Sequence, residues 1–294
     1  VADQPGKAGQ IFILDQTSQG GPEGISAFCY DGTPMIIKEE DVRKAEITTR
    51  DIDRGDFPHY FLKEITESTL SVRKTLRGKY VITKKGDGRS VLFNLGEDIV
   101  PQALKDALLD GRVGRIVVVG HGTAAVAGEA IADALDRYLQ GGPVICGAKI
   151  ASELSGFSLS DNLKDTLIIA ITQSGTTTDT NRAVAMAVER GAQVVAIVNR
   201  RQSDITTKAQ GVFYTSDGRD IEMSVASTKA FYSQIVAGHV LALYLSQLLK
   251  TQTDDFIAHT LDILEQAPAM MARVLDQQEQ IRLSVEKTAK HKKY

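Results

Sequence analysis

At 294 residues the chain is long enough for one large domain or two smaller ones, and its 43% hydrophobic and 24% charged content is that of an ordinary globular protein. A net charge of −3 gives no general attraction for nucleic acid or an anionic membrane, and no apolar run nears the ~20 residues needed to span a bilayer. Two cysteines, Cys29 and Cys146, supply neither a disulfide scaffold nor a four-ligand metal site; both read as small buried residues, no metal or cofactor is called for, and the cytoplasm is the expected location.

Residues 1–50 read as a β-rich segment. Ile11–Leu14, Ile25–Tyr30 and Met35–Lys38 are predicted strands, separated by turn-forming runs at Gly20–Gly24 and Asp31–Pro34. Three such strands bury little alone. Residues 51–78 are predicted to be a connector and helix: a charged stretch, Thr48–Asp56, leads to Pro58, after which Phe61, Ile65, Thr69 and Val72 recur near one face as far as Gly78.

Residues 79–250 carry the main domain. A hairpin is predicted from Tyr80–Lys84 and Ser90–Asn94 around Gly86 and Gly88, then a helix over Gln102–Leu109. From Arg115–Gly120 onward, buried strands alternate with helices. The further strands are Val144–Cys146, Leu167–Ile171, Gln193–Val198 and Val212–Thr215. The helices are Ala124–Leu139, Asn181–Arg190, Asp204–Ala209 and the long apolar Ala230–Leu249. Near-continuous β-branched strands separated by helices imply an α/β fold, a doubly wound parallel sheet with helices on both faces. Residues 251–294 add helices over Asp254–Leu264 and Met270–Val285.

Three stretches have chemical potential. Gly120-His-Gly-Thr-Ala-Ala125 joins a strand to a helix and fits the loose dinucleotide pattern, but no acid stands at the tip of the next strand, which ends Cys146-Gly-Ala-Lys149. Lys149 would suit a 2′-phosphate, so an NADP-linked oxidoreductase is one reading; close packing of strand and helix is the bland one. His121 reads as a cap or loop residue. Thr172-Gln-Ser-Gly-Thr-Thr177 repeats the strand–turn–helix logic with clustered hydroxyls at a helix start, where free N–H groups and the helix dipole favour an anion. Capping needs one hydroxyl, and four stand here. Ile221-Glu-Met-Ser-Val-Ala-Ser-Thr-Lys-Ala230 precedes the long helix, bringing Glu222 and Lys229 as well as hydroxyls; capping competes there too. All three loops leave carboxyl ends of strands, so they should border one crevice.

Taken together, His121-Gly-Thr-Ala124, Ala151-Ser-Glu153, Thr172–Thr177 and Val225-Ala-Ser-Thr-Lys-Ala-Phe231 resemble the motifs of the sugar isomerase (SIS) domain. The resemblance is closest to SIS domains in the isomerase half of glutamine:fructose-6-phosphate amidotransferases. Gly55–Ile65 and Thr75–Gly78 are similar to that family's entry into its isomerase half, so the resemblance spans about Ile52–Leu249. It implies a hexose 6-phosphate ligand. Thr172, Gln173, Ser174 and Thr177 would take the phosphate, while Thr123, Val225 and Ser227 would line the sugar. It also implies a homodimer. Ala124 stands where the family has serine, Thr172 replaces a serine, and Thr176 replaces a glutamate.

The family's acid and base groups sit mostly in a second SIS lobe and a C-terminal tail. This chain begins at Val1 without a cysteine nucleophile and ends Lys290-His-Lys-Lys-Tyr294, which resembles the lead-in to a second lobe. The expectation is therefore a stretch of a longer enzyme, its opening strands the tail of a glutaminase-like domain, with no residue assigned to catalysis. A non-catalytic sugar-phosphate sensor is the alternative.

Overall fold

The computed structural model describes residues 9–18, 21–42, 52–86, 88–289 and 291. The chain divides into two compact units, Val1–Glu46 and Ile47–Tyr294. Residues 48–51 of the predicted connector, residue 87 of the hairpin turn, and residues 290 and 292–294 of the terminal run lie outside the described residues.

In the first unit, β1 (Gln10–Leu14), β2 (Ile25–Cys29) and β3 (Pro34–Met35) form an antiparallel sheet in that order. Every residue of β1 is exposed, while Ala27 and Cys29 are buried, so this sheet has little core of its own. β3 is shorter than the predicted Met35–Lys38, because its pairing with β2 runs only through Phe28↔Pro34 and Ala27↔Met35.

The second unit is built on five parallel strands: β6 (Arg115–Gly120), β7 (Ile145–Ile150), β8 (Thr166–Thr172), β9 (Gln193–Val198) and β10 (Gly211–Tyr214). Their spatial order is β10-β9-β8-β6-β7. Strand periodicity divides the core. Ile116, Val118, Leu167, Ile169, Ile171, Val195 and Ile197 face one layer of helices, and Val119, Ile168, Ala170, Val194, Ala196 and Val198 face the other. The first layer holds α2 (Gln102–Leu109), α3 (Thr123–Tyr138) and α7 (Lys229–Leu248); the second holds α5 (Thr178–Glu189) and α6 (Asp204–Lys208). All seven residues of β8 are buried, as befits a strand covered on both faces.

The fold is the expected doubly wound α/β sheet, and local differences have identifiable causes. β7 extends to Ile150 through Gly147, Ala148 and Lys149, poor strand formers, because the parallel register continues from Arg115↔Ile145 to Gly120↔Ile150. It leads directly into the short α4 (Ala151–Glu153). The hairpin of β4 (Tyr80–Lys85) and β5 (Gly88–Phe93) forms as predicted. The two helices predicted after residue 250 divide elsewhere. α8 (Asp254–Leu275) continues through Pro268, and α9 (Gln278–Thr288) is separate. Pro268 is itself buried, and α8 packs along α1 (Tyr60–Leu76) and β5, which outweighs the hydrogen bond that proline removes.

Helix α1 also turns a different face inward. Glu64, Ser68, Ser71, Val72 and Thr75 are buried, while Phe61 is exposed. Its inner face is largely polar because it packs on the loop before α7, where polar partners await it. The apolar circumference of α7 is accounted for within the chain, against α3, α1 and the sheet, so it gives no argument for a subunit contact.

Candidate functional site

Starting the count at β6, the sheet runs 2-1-3-4-5, so the connections leaving β6 and β8 diverge to opposite sides of the sheet. A crevice opens at such a switch point, outside the carboxyl ends of the strands. The turn after β6 and the turn after β8 lie there together, and the loop before α7 closes a third side of a 340 Å³ cleft.

The β6–α3 turn works because Gly120 has no side chain: a Cβ there would sit 2.6 Å from the backbone of Ala124. Thr123 opens α3 and lines the cleft with Ala124 and His121. His121 Nε2 lies 3.6 Å from an Asp179 carboxylate oxygen, joining the first two loops at a half-exposed position.

The β8–α5 turn is braced from below. Gly175 has φ +68°, and a Cβ on it would collide with Ser203 at 2.0 Å. Thr172 Oγ1 accepts the Gly175 N–H at 3.2 Å, and Asn181 donates its amide to the carbonyls of Gly175 and Thr177 at 3.0 and 3.1 Å. Lys208 holds Asn181 Oδ1 at 3.1 Å. Ser174 Oγ accepts from the backbone and hydroxyl of Thr176 at 3.2 and 3.0 Å. Thr177 occupies the N-cap position of α5, yet its side chain makes no capping bond. The capping explanation for these hydroxyls thus fails at the residue best placed for it. What the turn offers the cleft is neutral donors at the positive end of a helix dipole.

The third loop is gripped by two carboxylates. Glu222 accepts the N–H groups of Thr228 and Ala230 at 2.7 and 3.1 Å, and the hydroxyls of Ser227 and Thr228 at 2.9 and 3.2 Å. Glu222 therefore caps α7, and the Ser227 hydroxyl, its hydrogen committed to Glu222, turns acceptor lone pairs to the cleft. From α1, buried Glu64 accepts the N–H groups of Met223 and Ser224 at 2.5 and 3.2 Å and the Ser224 hydroxyl. Val225, held out between these two clasps, is fully exposed at the rim.

Lys229 does not join the cleft as the sequence suggests. Its side chain is only 2% exposed, and its ammonium reaches Asp220 at 2.7 Å and Glu67 at 2.8 Å. Asp220 is further held by the hydroxyls of Ser71 and Ser216. Burial alone would favour the neutral forms of all three groups. The opposite charges and hydrogen bonds outweigh it, holding the Asp220 and Glu67 carboxyls below, and Lys229 above, their ordinary values. A buried ammonium needs compensation, and Glu67 of α1 together with Asp220 of the loop before α7 supplies it.

Thus Thr123, Thr172, Gln173, Ser174, Thr177, Val225 and Ser227 all line one cleft. Ala151–Glu153 does not. The lining also includes Thr180 and Gln234, which sequence reading missed because each lies inside a helix, three residues beyond the end of the motif before it. Among the described residues, Glu222 is the one carboxylate in the lining. Cys146 lies apart on β7, partly buried; burial and then the charge of Asp136 push its thiol up to about 12, so it stays protonated and unreactive near neutrality. Among the described residues, no group of three or more His, Cys, Asp or Glu is arranged to hold a metal ion, and no helix is long and apolar enough to cross a membrane.

The SIS domain family matches residues 112–244. The chain is 36% identical over 86% of its length to glutamine–fructose-6-phosphate aminotransferase (isomerizing) of Corynebacterium glutamicum, and spans 37% of that protein. To the enzyme of the same name from Methanosarcina acetivorans it is 30% identical over 97% of its length, spanning 43% of that protein. Among solved structures it resembles the C-terminal domain of glucosamine-fructose-6-phosphate aminotransferase from Francisella tularensis, with a TM-score of 0.66 at 25% identity, over 81% of this chain and 61% of that one. The chain therefore spans well under half the length of these curated relatives. Residues 112–244 are thus matched by the SIS domain family, and over most of its length the chain is similar to those aminotransferases.

Proposed function

We propose that the cleft binds a hexose 6-phosphate, and that the chain is the first sugar-binding lobe of an isomerase or aminotransferase acting in hexosamine formation. The supporting observation is the polarity of the cleft. The β8–α5 turn contributes the neutral donors of Gln173, Ser174 and Thr177; the loop before α7 contributes the carboxylate of Glu222, with the Ser227 hydroxyl turned by it into an acceptor. An anion is stabilised by the first group and repelled by the second, whereas sugar hydroxyls suit the second. A ligand with one phosphate and one polyol end satisfies both. The volume of 340 Å³ falls within the range of about 300–1,000 Å³ common to small-molecule sites.

Binding and orientation are the whole of the assigned role. Glu222 is committed to the α7 cap and Lys229 to its ion pairs, so neither is free to carry a proton for the substrate. A homodimer is part of the same proposal and rests on the family resemblance alone; the mass in solution by light scattering tests it. The ligand assignment is tested by thermal shift with fructose 6-phosphate, glucose 6-phosphate, the unphosphorylated sugars and inorganic phosphate. A ligand at a hundred times its Kd adds about 2.7 kcal/mol of stability. The sugar phosphates should raise Tm and the free sugars should not; equal shifts with free sugar and sugar phosphate would refute the phosphate grip.

A further inference from the structure

The floor of the cleft contains polar atoms that the chain leaves without partners. Among the described residues, six buried side-chain nitrogen or oxygen atoms make no hydrogen bond, and three of them belong to two residues lining the cleft: Thr180 Oγ1 and Gln234 Nε2 and Oε1. Both residues are 1% exposed. They come from opposite layers of the fold, Thr180 from the first turn of α5 and Gln234 from α7, and they meet the cleft beside Ile171 and Thr172 at the end of β8. Buried carboxamides and hydroxyls are almost always paired, because an unpaired one forfeits its bonds to water and gains nothing. A methionine in place of Gln234 and a valine in place of Thr180 would fill the same space without that penalty. The bonding capacity here has a specific character: a carboxamide and a hydroxyl both donate and accept, which suits sugar hydroxyls, whereas a phosphate anion, chiefly an acceptor, uses only the donor half.

We infer that Thr180 and Gln234 form a hydroxyl-reading floor of the cleft, selecting a polyhydroxylated ligand over a bare phosphate. The inference rests on the sugar-phosphate reading of the cleft and deepens it. A small rotation of either side chain opens its polar atoms to a seated ligand, whose hydroxyls supply the partners that the chain itself does not. Selectivity follows from the same physics, since a site built around hydroxyl bonds rejects an analogue that leaves them unmade.

The test uses the full chain with Thr180→Val and Gln234→Met, calorimetric titrations with fructose 6-phosphate and with inorganic phosphate, and thermal melts without ligand. Each substitution is expected to leave the unliganded Tm equal or higher, to weaken fructose 6-phosphate by about tenfold, and to leave the phosphate Kd unchanged. An unchanged fructose 6-phosphate Kd, an equal loss for both ligands, or a drop of several degrees in the unliganded melt overturns the floor assignment. Wild-type protein that binds neither ligand overturns the sugar-phosphate reading itself and the inference with it; wild-type binding with indifferent variants overturns the floor alone.

Discussion

Glu222 accepts the Thr228 N–H at 2.7 Å, so an acid facing the cleft is also the cap of α7. Binding surface and helix start are thereby a single unit. Replacing Glu222 with alanine removes the cap, at about 0.5–2 kcal/mol, and frees the Ser227 hydroxyl. The Glu222→Gln variant keeps a carbonyl acceptor at the same place. The expected outcome is a lowered Tm and weaker fructose 6-phosphate binding for Glu222→Ala, with both largely restored in Glu222→Gln. If Glu222→Ala melts and binds like the wild type, the cap is not what shapes this wall.

The Lys229 pairs behind that wall predict a pH dependence. Asp220 has a folded pKa below its ordinary 3.8, so its contribution is present above that value and lost as pH falls through the lowered one. Lys229 is raised above 10.5; its contribution is present below that value and lost as pH rises through the raised one. Removing one member of a buried pair costs about 3–5 kcal/mol. Lys229→Met should therefore destabilise strongly near neutrality, and a Lys229→Met, Asp220→Leu double variant should lose less than the sum of the singles. Melts from about pH 3 to about pH 7 should show the gap between wild type and Asp220→Asn narrowing as acid neutralises Asp220. A gap that is constant with pH would mean the pair is not ionised in the folded protein.

Much of this arrangement was legible in the residues, and for identifiable reasons. The run from Leu167 to Ile171 is apolar throughout and rich in β-branched residues, so burial on both faces could be read directly, and with it the parallel sheet and the shared crevice at its carboxyl edge. The hydroxyl loops followed because turns after buried strands are short and keep their side chains near the strand tips. Lys229 was not legible, because its partners Asp220 and Glu67 come from a loop and from α1, and periodicity says nothing of which way a side chain at a helix start turns. The same gap hid Glu64. The apolar spacing of Phe61, Ile65, Thr69 and Val72 favours one face of α1, but buried partners for Glu64, Ser71 and Thr75 rotate another inward. Orphaned groups such as Gln234 have no sequence signal at all, since burial and missing partners are properties of the fold.

Gly175 gives a sharper local test. Its φ of +68° disfavours any side chain, and Ser203 occupies the place of a Cβ. Gly175→Ala should cost more than about 1 kcal/mol and displace the Thr172–Thr177 turn. Tm and sugar-phosphate affinity should fall together. Retained affinity with a lowered Tm would detach the turn from binding.

The central claim is that the Thr172–Thr177 turn grips the phosphate of a hexose 6-phosphate. Calorimetric titration of fructose 6-phosphate into wild type and a Ser174→Ala, Thr177→Ala double variant tests it most directly. Hydrogen bonds to a charged group are worth about 1.5–3 kcal/mol each, so the account predicts a loss of at least about tenfold in affinity with an unliganded Tm close to wild type. Equal affinity in the two proteins would contradict it.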